Sequence, residues 1–271
     1  MIGLQRLGYG RVWLLLAVTL NACGGPHWPA YELLQGSTMG TYYRVQYAAS
    51  DSCRPSQFVI EQQLIAFNQS LSTYIENSEL SLLNEVPAQQ TRTMSQRLSV
   101  ALTAAFELWQ DTDGAFDVTV GPLVNIWGFG PDKAVQWPPT EMSQRLAAAS
   151  VGMQHLELLP NRQIRKLLAT TYIDLSSIAK GQAVDEVSQI MASLGCEHFL
   201  VDIGGEVRAS GLNSERRPWR VGIEVPRSGQ QGSVQRVLSV TDHSVATSGD
   251  YRNFRVADGL RVDHVLSLIH I

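Results

Sequence analysis

Hydrophobic positions along the first half of the chain follow a helical period. Apolar residues recur three and four positions apart, with serine or threonine before several of the runs and glycine or proline between them. This pattern predicts helices over Phe58–Leu71, Ser78–Asn84 (capped by Ser78), Ser95–Gln110, Glu141–Ala149 and Ala179–Leu194. Because each helix has one apolar stripe, packing against a common core accounts for them without a functional role.

Alternation with a period of two predicts strands, most of them late in the chain. An early strand is predicted over Met39–Ala48, and the later strands are His155–Leu159, Thr171–Leu175, Phe199–Ile203, Val207–Ser210, Trp219–Val225, Val237–Val240 and Ser244–Thr247. No repeat or heptad run is present. The sequence therefore predicts one α+β (mixed α/β) domain over residues 36–265, with early packing helices and a later, mostly antiparallel sheet.

The N-terminus has the features of a secretory signal. Arg6 and Arg11 precede an apolar run, Val12–Leu20, which is too short to span a bilayer as a mature helix. The segment Leu20–Cys23 resembles a bacterial lipobox, in which the cysteine is acylated and becomes the first mature residue. We therefore expect a signal peptide over residues 1–22, a lipidated tether over residues 23–35, and a location at the periplasmic face of the bacterial cell envelope. The alternative is an ordinary secretory signal with an incidental cysteine.

Composition excludes two classes of protein. The chain has 271 residues, of which 44% are hydrophobic and 17% charged, so a packed core is available and disorder is excluded. The net charge of −4 argues against a nucleic-acid partner.

With Cys23 lipidated, Cys53 and Cys196 remain outside the reducing cytoplasm, and the sequence leaves open whether they pair or stay free. Lysine is rare, at three of 21 cations: Lys133, Lys166 and Lys180.

Residues Tyr172–Asp185 form the first candidate for chemistry. A strand that passes through small residues into a helix directs free backbone N–H groups and the positive end of the helix dipole at one point, which suits a phosphate. Lys180 would add a charge in the first turn, and Gly181 would permit close approach. The alternative is an ordinary strand-to-helix connection capped by Asp174 or a serine.

Two further segments combine glycine with acidic residues. In Asp113–Leu123, extended backbone would project Asp117 and Thr119 to the same side, where they could bind a ligand. In Val201–Glu206, a glycine pair follows an apolar strand, which indicates a bulge or a place where another group comes close to the backbone, and Asp202 and Glu206 could face solvent. Searches for a nucleophile elbow, a Walker A loop, a dinucleotide fingerprint, a zinc-protease helix and a C-x-x-C pair are negative.

The order of these motifs is more specific than any one of them. The ordered segments are Gly36–Tyr42, Leu71–Tyr74 before Ser78–Asn84, Gly114–Leu123, Asp174–Asp185, Val201–Glu206 and Ser248–Tyr251. In this order they resemble the ApbE family of FAD:protein FMN transferases, which are bacterial lipoproteins, and the resemblance extends from Gly36 to Val265. It implies binding of FAD and, with Mg2+, transfer of the FMN moiety to a threonine hydroxyl of an acceptor protein with release of AMP.

The resemblance also implies roles for individual residues. The FAD-binding positions that it implies are Met39, Tyr74, Ala115, Phe116, Asp117, Asp174, Lys180 and Val265. Ser177 would be a metal ligand through its backbone carbonyl. His264 matches the start of the family's His-Ile-Ile-Asp-Pro motif and would be the base that deprotonates the threonine. The acceptors would be flavoprotein subunits of extracytoplasmic redox complexes, and the membrane would be contacted through Cys23.

The match with the family pattern stops after Val265. The chain continues as Leu266–Ile271 rather than with an aliphatic residue, aspartate and proline. We expect residues 266–271 to be non-native, because a common transposon-end sequencing adapter encodes them in one reading frame. The domain would then lack the C-terminal segment that supplies side-chain ligands to Mg2+. Two other functions remain open: a pyrophosphatase that cleaves FAD to FMN and AMP, and a flavin-binding lipoprotein without catalysis.

Overall fold

A computed structural model describes residues 28–131, 135–226, 232–250, 253–257 and 259–265. The predicted signal peptide, Cys23 and residues 266–271 lie outside this part. The helices are α1 Gln57–Leu71, α2 Glu79–Glu85, α3 Gln96–Asp111, α4 Gly121–Ile126, α5 Glu141–Ala148 and α6 Ser176–Ser193. The strands are β1 Tyr31–Thr38, β2 Thr41–Ala48, β3 Thr91–Thr93, β4 Leu156–Leu159, β5 Gln163–Lys166, β6 Phe199–Ile203, β7 Glu206–Ser210, β8 Trp219–Glu224, β9 Val234–Val240, β10 Ser244–Val245, β11 Phe254–Ala257 and β12 Leu260–Asp263.

A five-stranded antiparallel sheet forms the centre of the domain. Its strand order is β1-β2-β6-β7-β10, so that the early hairpin pairs directly with late strands. One face of β2 buries Tyr43, Val45 and Tyr47, which pack into the same core as the inner faces of α1, α3 and α6. Three smaller antiparallel units, β3-β5-β4, β8-β9 and β11-β12, lie around it. The predicted mixed α+β class is confirmed.

The helices begin where their capping residues predict. The Ser78 hydroxyl accepts the backbone N–H of Ser81, and the Ser95 hydroxyl accepts that of Leu98. Each bond satisfies one of the donors left free in a first helical turn. The stripe predicted for α3 is also present, since Leu98, Leu102 and Ala105 are buried.

Several element boundaries differ from the prediction. Strand β1 includes residues 31–35, which were expected to be tether, because its backbone pairs with β2 along its whole length. Residues 171–175 are not a strand; their backbone makes only a single bridge, between Tyr172 and Val120, and α6 starts three residues before the predicted Ala179. The prediction also omitted α4, β3, β5, β11 and β12.

Cys53 and Cys196 form a disulfide, which answers the question that the sequence left open. The bond links the loop before α1 to the turn between α6 and β6, across 143 positions of sequence. Both cysteines are buried in the main core. Within the described residues, no helix combines the length and apolarity that a membrane crossing needs.

Candidate functional site

An open cleft of about 740 Å³ lies between α2, the loop after α1 and the segment before α6. Its lining mixes aromatic, acidic and amide side chains: Thr73, Tyr74, Glu76, Ser81, Asn84, Glu85, Pro131 and Tyr172. Two flat aromatic rings beside hydrogen-bonding groups suit a ligand that is itself partly aromatic and partly polar.

Tyr74 connects the cleft to two other predicted segments. The Tyr74 hydroxyl donates to the carbonyl of Phe129 at 2.9 Å, although 59% of the residue remains exposed. Partial burial raises the pKa of Tyr74, and the negative charge of Asp174 raises it further. The same two causes raise the pKa of Tyr172. Both hydroxyls therefore stay protonated at neutral pH.

Asp174 organises the entry into α6. Its backbone N–H donates to the carbonyl of Val118 at 2.7 Å, and its buried carboxylate accepts the backbone N–H and the hydroxyl of Ser176. The carboxylate thus closes a local turn just before α6, whose N-cap residue is Leu175 and has no side-chain capping bond. The phosphate site that the motif predicts stays a prediction.

Lys180 lies on the second turn of α6, whereas the first turn was predicted, because the helix starts earlier than expected. Its ammonium group lies between the two carboxylate oxygens of Glu206, at 2.8 and 2.7 Å. The Glu206 side chain is mostly buried rather than facing solvent. The Glu206 carboxylate therefore holds the Lys180 ammonium group at the start of β7. Without Glu206, the ammonium group would be free to pair with a phosphate.

Met39 lies at the same end of the central sheet. Met39 and Gly40 form the two-residue turn between β1 and β2, with φ of 51° and 70°, the values that such tight hairpins require. The turn between β6 and β7 lies against it, since the N–H of Gly204 donates to the carbonyl of Tyr42 at 3.0 Å. Glu206, which binds Lys180, directly follows this second turn. Met39 and Lys180 therefore lie near the same end of the sheet, at the β1-β2 and β6-β7 turns.

Residues 115–117 are arranged differently from the sequence expectation. The Asp117 carboxylate accepts the N–H and hydroxyl of Thr119 and the N–H of Met153, and the buried Thr119 hydroxyl accepts the N–H of Gly152. These two side chains therefore hold two loops together instead of projecting side by side toward a ligand. Ala115 is exposed, and Phe116 packs against the main core.

His264 follows the β11-β12 hairpin and is exposed. Its ring lies 6.2 Å from that of Phe129, the residue whose carbonyl binds Tyr74, and its Nδ1 lies 3.1 Å from the carbonyl of Asn253. Val265 is also exposed, and its N–H donates to the Asp263 carboxylate. His264 and Tyr74 are thus joined through one aromatic residue.

Arg255 attaches this hairpin to the loop that contains Phe129. The guanidinium donates to the carbonyl of Gly128 at 2.7 Å and lies 5.9 Å from the centre of the Phe129 ring. Gly128 has φ of 75°, and a β-carbon there would come within 2.5 Å of the same guanidinium. The positive φ favours glycine at this position, and any side chain there would also displace the Arg255 guanidinium.

The described residues do not complete a metal site. They contain no cluster of three or more histidine, cysteine, aspartate or glutamate side chains placed to bind an ion. Ser177, whose backbone carbonyl is the metal ligand that the resemblance implies, is exposed on the first turn of α6. Mg2+ prefers six oxygen ligands, so these residues alone do not fit it.

Sequence reasoning missed three residues that shape the site. From the sequence, Phe129 offers a flat surface for a ligand but is more typical of core packing, Glu206 could face solvent, and Asn84 is only part of a predicted helix. Glycine neighbours were the available signal for the first two, since Gly128 and Gly205 both adopt positive φ. Nothing in the helical pattern distinguished Asn84.

Comparison with known proteins identifies the family. The sequence profile of the ApbE family matches residues 39–268. The FAD:protein FMN transferase of Vibrio cholerae is 40% identical over 260 residues, covering 94% of this chain and 77% of that protein. That of Salmonella typhimurium is 37% identical over 243 residues, covering 88% and 69%.

Solved structures agree with the sequence relatives. The flavin transferase ApbE from Vibrio cholerae superposes with a TM-score of 0.80 at 38% identity, covering 88% of this chain and 76% of that one. The apo form of the Pseudomonas stutzeri flavinyl transferase ApbE gives 0.79 at 35% identity, covering 90% and 76%. The chain belongs to the ApbE family, as its ordered motifs predicted.

Proposed function

We propose that this chain is an FAD:protein FMN transferase that modifies a threonine of an acceptor protein. In the reaction, the threonine oxygen forms a bond to the FMN phosphorus, the bond from that phosphorus to the bridging oxygen breaks, and AMP leaves with that oxygen. The hydroxyl proton passes to His264. The support for this activity is membership of a family whose characterised members have that name.

One observation carries the assignment to this cleft. Through Phe129, the Tyr74 hydroxyl at the cleft and the His264 ring are brought together, although 190 positions separate them. A base joined through Phe129 to an aromatic-lined cleft supports two elements that the reaction needs, flavin contact and proton removal. Phosphate stabilisation by the first amides of α6 is proposed from the sequence motif.

The remaining FAD contacts follow from the resemblance. Met39, Ala115, Phe116, Asp117, Asp174, Lys180 and Val265 are proposed to contact FAD. For Lys180, the contact requires the ammonium to leave Glu206 or to bind both anions at once. The Asp117 carboxylate already accepts two backbone N–H groups and the Thr119 hydroxyl, so its role would be to shape the loop around Ala115 and Phe116.

Mg2+ enters the proposal through the resemblance alone. When bound, it would neutralise charge on the diphosphate, with Ser177 contributing its carbonyl. Since the described residues do not complete such a site, the steps above are assigned only to this chain's own side chains and amides.

We also propose that the protein works outside the cytoplasm, lipid-anchored through Cys23 at the periplasmic face of the cell envelope. The disulfide between Cys53 and Cys196 supports an oxidising compartment. The proposed acceptors are flavoprotein subunits of extracytoplasmic redox complexes, and no nucleic acid is expected as a partner.

The test combines two products of the same reaction. The chain is mixed with FAD, Mg2+ and a threonine-bearing acceptor domain, and both AMP and protein-bound flavin fluorescence are measured, alongside a chain extended through the family's C-terminal segment. We expect AMP and labelled acceptor in equal amounts from the extended chain. AMP without labelling would indicate the pyrophosphatase, and FAD binding without AMP would indicate a flavin-binding lipoprotein.

A control acceptor with threonine replaced by valine keeps the shape of the side chain and removes its hydroxyl. Labelling of this control would contradict the proposed bond to the threonine oxygen.

A further inference from the structure

Lys166, the last residue of β5, is the most deeply buried cation among the described residues. Only 1% of its surface is exposed, and the ammonium group donates to three backbone carbonyls: those of Asn84 at 2.5 Å, Ala169 at 3.3 Å and Thr171 at 3.2 Å. Within the described part of the chain it forms no ion pair with a carboxylate. Burial lowers the pKa of Lys166.

A buried ammonium without a counter-ion is costly, because it loses its hydration. An apolar side chain of the same length would fill this space at lower cost. The chain has few lysines, so the presence of Lys166 at this buried position indicates that the three carbonyls need a common hydrogen-bond donor.

The three carbonyls belong to the two walls of the cleft. Asn84 lies near the end of α2, where backbone carbonyls lack helical partners, and its side chain lines the cleft. Ala169 and Thr171 belong to the segment that continues into Tyr172, which also lines the cleft. Lys166 therefore joins two segments that no secondary structure connects.

Asn84 completes the same junction with its side chain. Its amide nitrogen donates to the carbonyl of Ile173 at 2.9 Å, and its amide oxygen accepts the N–H of Ile173 at 2.7 Å. Asp174 is the next residue. Lys166 holds the backbone of Asn84, and Asn84 holds the backbone beside Asp174, so the position of the carboxylate depends on the buried lysine.

We propose that Lys166 is a positioning residue for FAD binding: by joining the carbonyls of Asn84, Ala169 and Thr171, it holds the end of α2 against the segment before α6 and so sets the place of Asp174 and of the cleft residues Asn84 and Tyr172. This inference rests on the proposed function, since it assumes that FAD occupies this cleft. Lys166 itself does not touch the ligand.

The test replaces Lys166 by methionine, an unbranched side chain one heavy atom shorter, which keeps the aliphatic stem and removes the three donors. FAD affinity is measured by flavin fluorescence, the KM for FAD and kcat by AMP release, and stability by thermal unfolding. We expect the Kd and KM for FAD to rise about tenfold or more, with a smaller change in kcat, because the cleft walls move while His264 stays in place.

Arg97→Met provides the matched control. Arg97 pairs with Glu186 at 2.8 Å and joins α3 to α6, away from the cleft. Its loss is expected to lower the melting temperature while the Kd for FAD stays within twofold of the parent value. A general loss of stability would therefore affect both variants, whereas a positioning role affects FAD binding in only one.

Two outcomes are decisive. If K166M binds FAD within twofold of the parent chain, the inference is wrong even though the proposed function stands. If K166M does not fold, Lys166→Gln, which retains two N–H donors without the charge, is judged by the same twofold threshold. Failure of the parent chain to bind FAD would instead overturn the proposed function.

Discussion

At the scale of single residues, Phe129 has two roles. It is buried, with 8% of its surface exposed, and its aromatic ring and carbonyl contact residues from distant parts of the chain. The carbonyl accepts the Tyr74 hydroxyl, and the ring faces both His264 and Arg255. Aromatic side chains next to glycine usually indicate core packing. Here the same buried ring also positions the proposed base.

The role of His264 can be tested by substitution. With His264→Ala we expect FMN transfer to fall by roughly 10²- to 10⁴-fold, the usual effect of losing a general base. FAD affinity should change little, because the ring lies beside Phe129 rather than in the lining of the cleft. Quantified flavin fluorescence of the acceptor measures the first effect, and equilibrium FAD binding the second.

His243→Ala is the matched control, since His243 is also exposed and its Nδ1 also lies near a backbone carbonyl, that of Thr241. It lies at the β9-β10 turn, away from Phe129. Equal losses of transfer in both variants would argue against a specific role for His264.

At the scale of elements, β1 shows where a local pattern fails. Its burial does not alternate cleanly, because it is the edge strand of the sheet and one side of it stays open to solvent. Tyr31 is tied by its hydroxyl to the carbonyl of Leu212 at 2.6 Å and packs edge-on against Trp219. These contacts make residues 31–35 part of the folded domain.

Two shortened chains test this boundary. A chain that begins at Trp28 keeps β1, whereas one that begins at Gly36 loses its first five residues. We expect the shorter chain to be less stable by about 2 to 4 kcal/mol, mainly through lost burial of Tyr31 and Leu34. Urea unfolding of both chains measures the difference. Equal stability would mean that residues 28–35 are a tether, as the sequence suggested.

At the scale of the whole molecule, the disulfide joins the chain just before the first helix to the chain just after the last described helix. Cys53 precedes α1, and Cys196 follows α6, so the bond encloses most of the helical half of the domain. A covalent link over so long a loop restricts the unfolded chain strongly, which raises the free energy of unfolding.

Replacing both cysteines with serine should lower the free energy of unfolding by roughly 3 to 5 kcal/mol. Urea unfolding with and without a reductant provides the measurement and its control, because the reductant should destabilise the parent chain and leave the double variant unchanged. A parent chain that is insensitive to reductant under unfolding conditions would contradict a stabilising disulfide.

Local interactions account for what could be predicted. The strand Phe199–Ile203 was predicted with its observed bounds, and the helices α1, α2, α3 and α5 within two residues, because apolar periodicity and capping serines act over one or two turns. Residues 171–175 were misassigned because Tyr172 and Ile173 favour a strand locally. Their backbone is instead bound by Val118 and by the side chain of Asn84.

The sequence by itself determined the mixed α+β class, most helices and the family. The family follows from the order of the motifs along the chain, which can be recognised without knowing any tertiary contact. Only the tertiary structure decided that Tyr74, Phe129 and His264 meet, that Glu206 holds Lys180, and that Lys166 joins the walls of the cleft. The physical reason is range: periodicity and capping act between near neighbours, whereas these hydrogen bonds and ring contacts join residues far apart in sequence, and only packing brings them together.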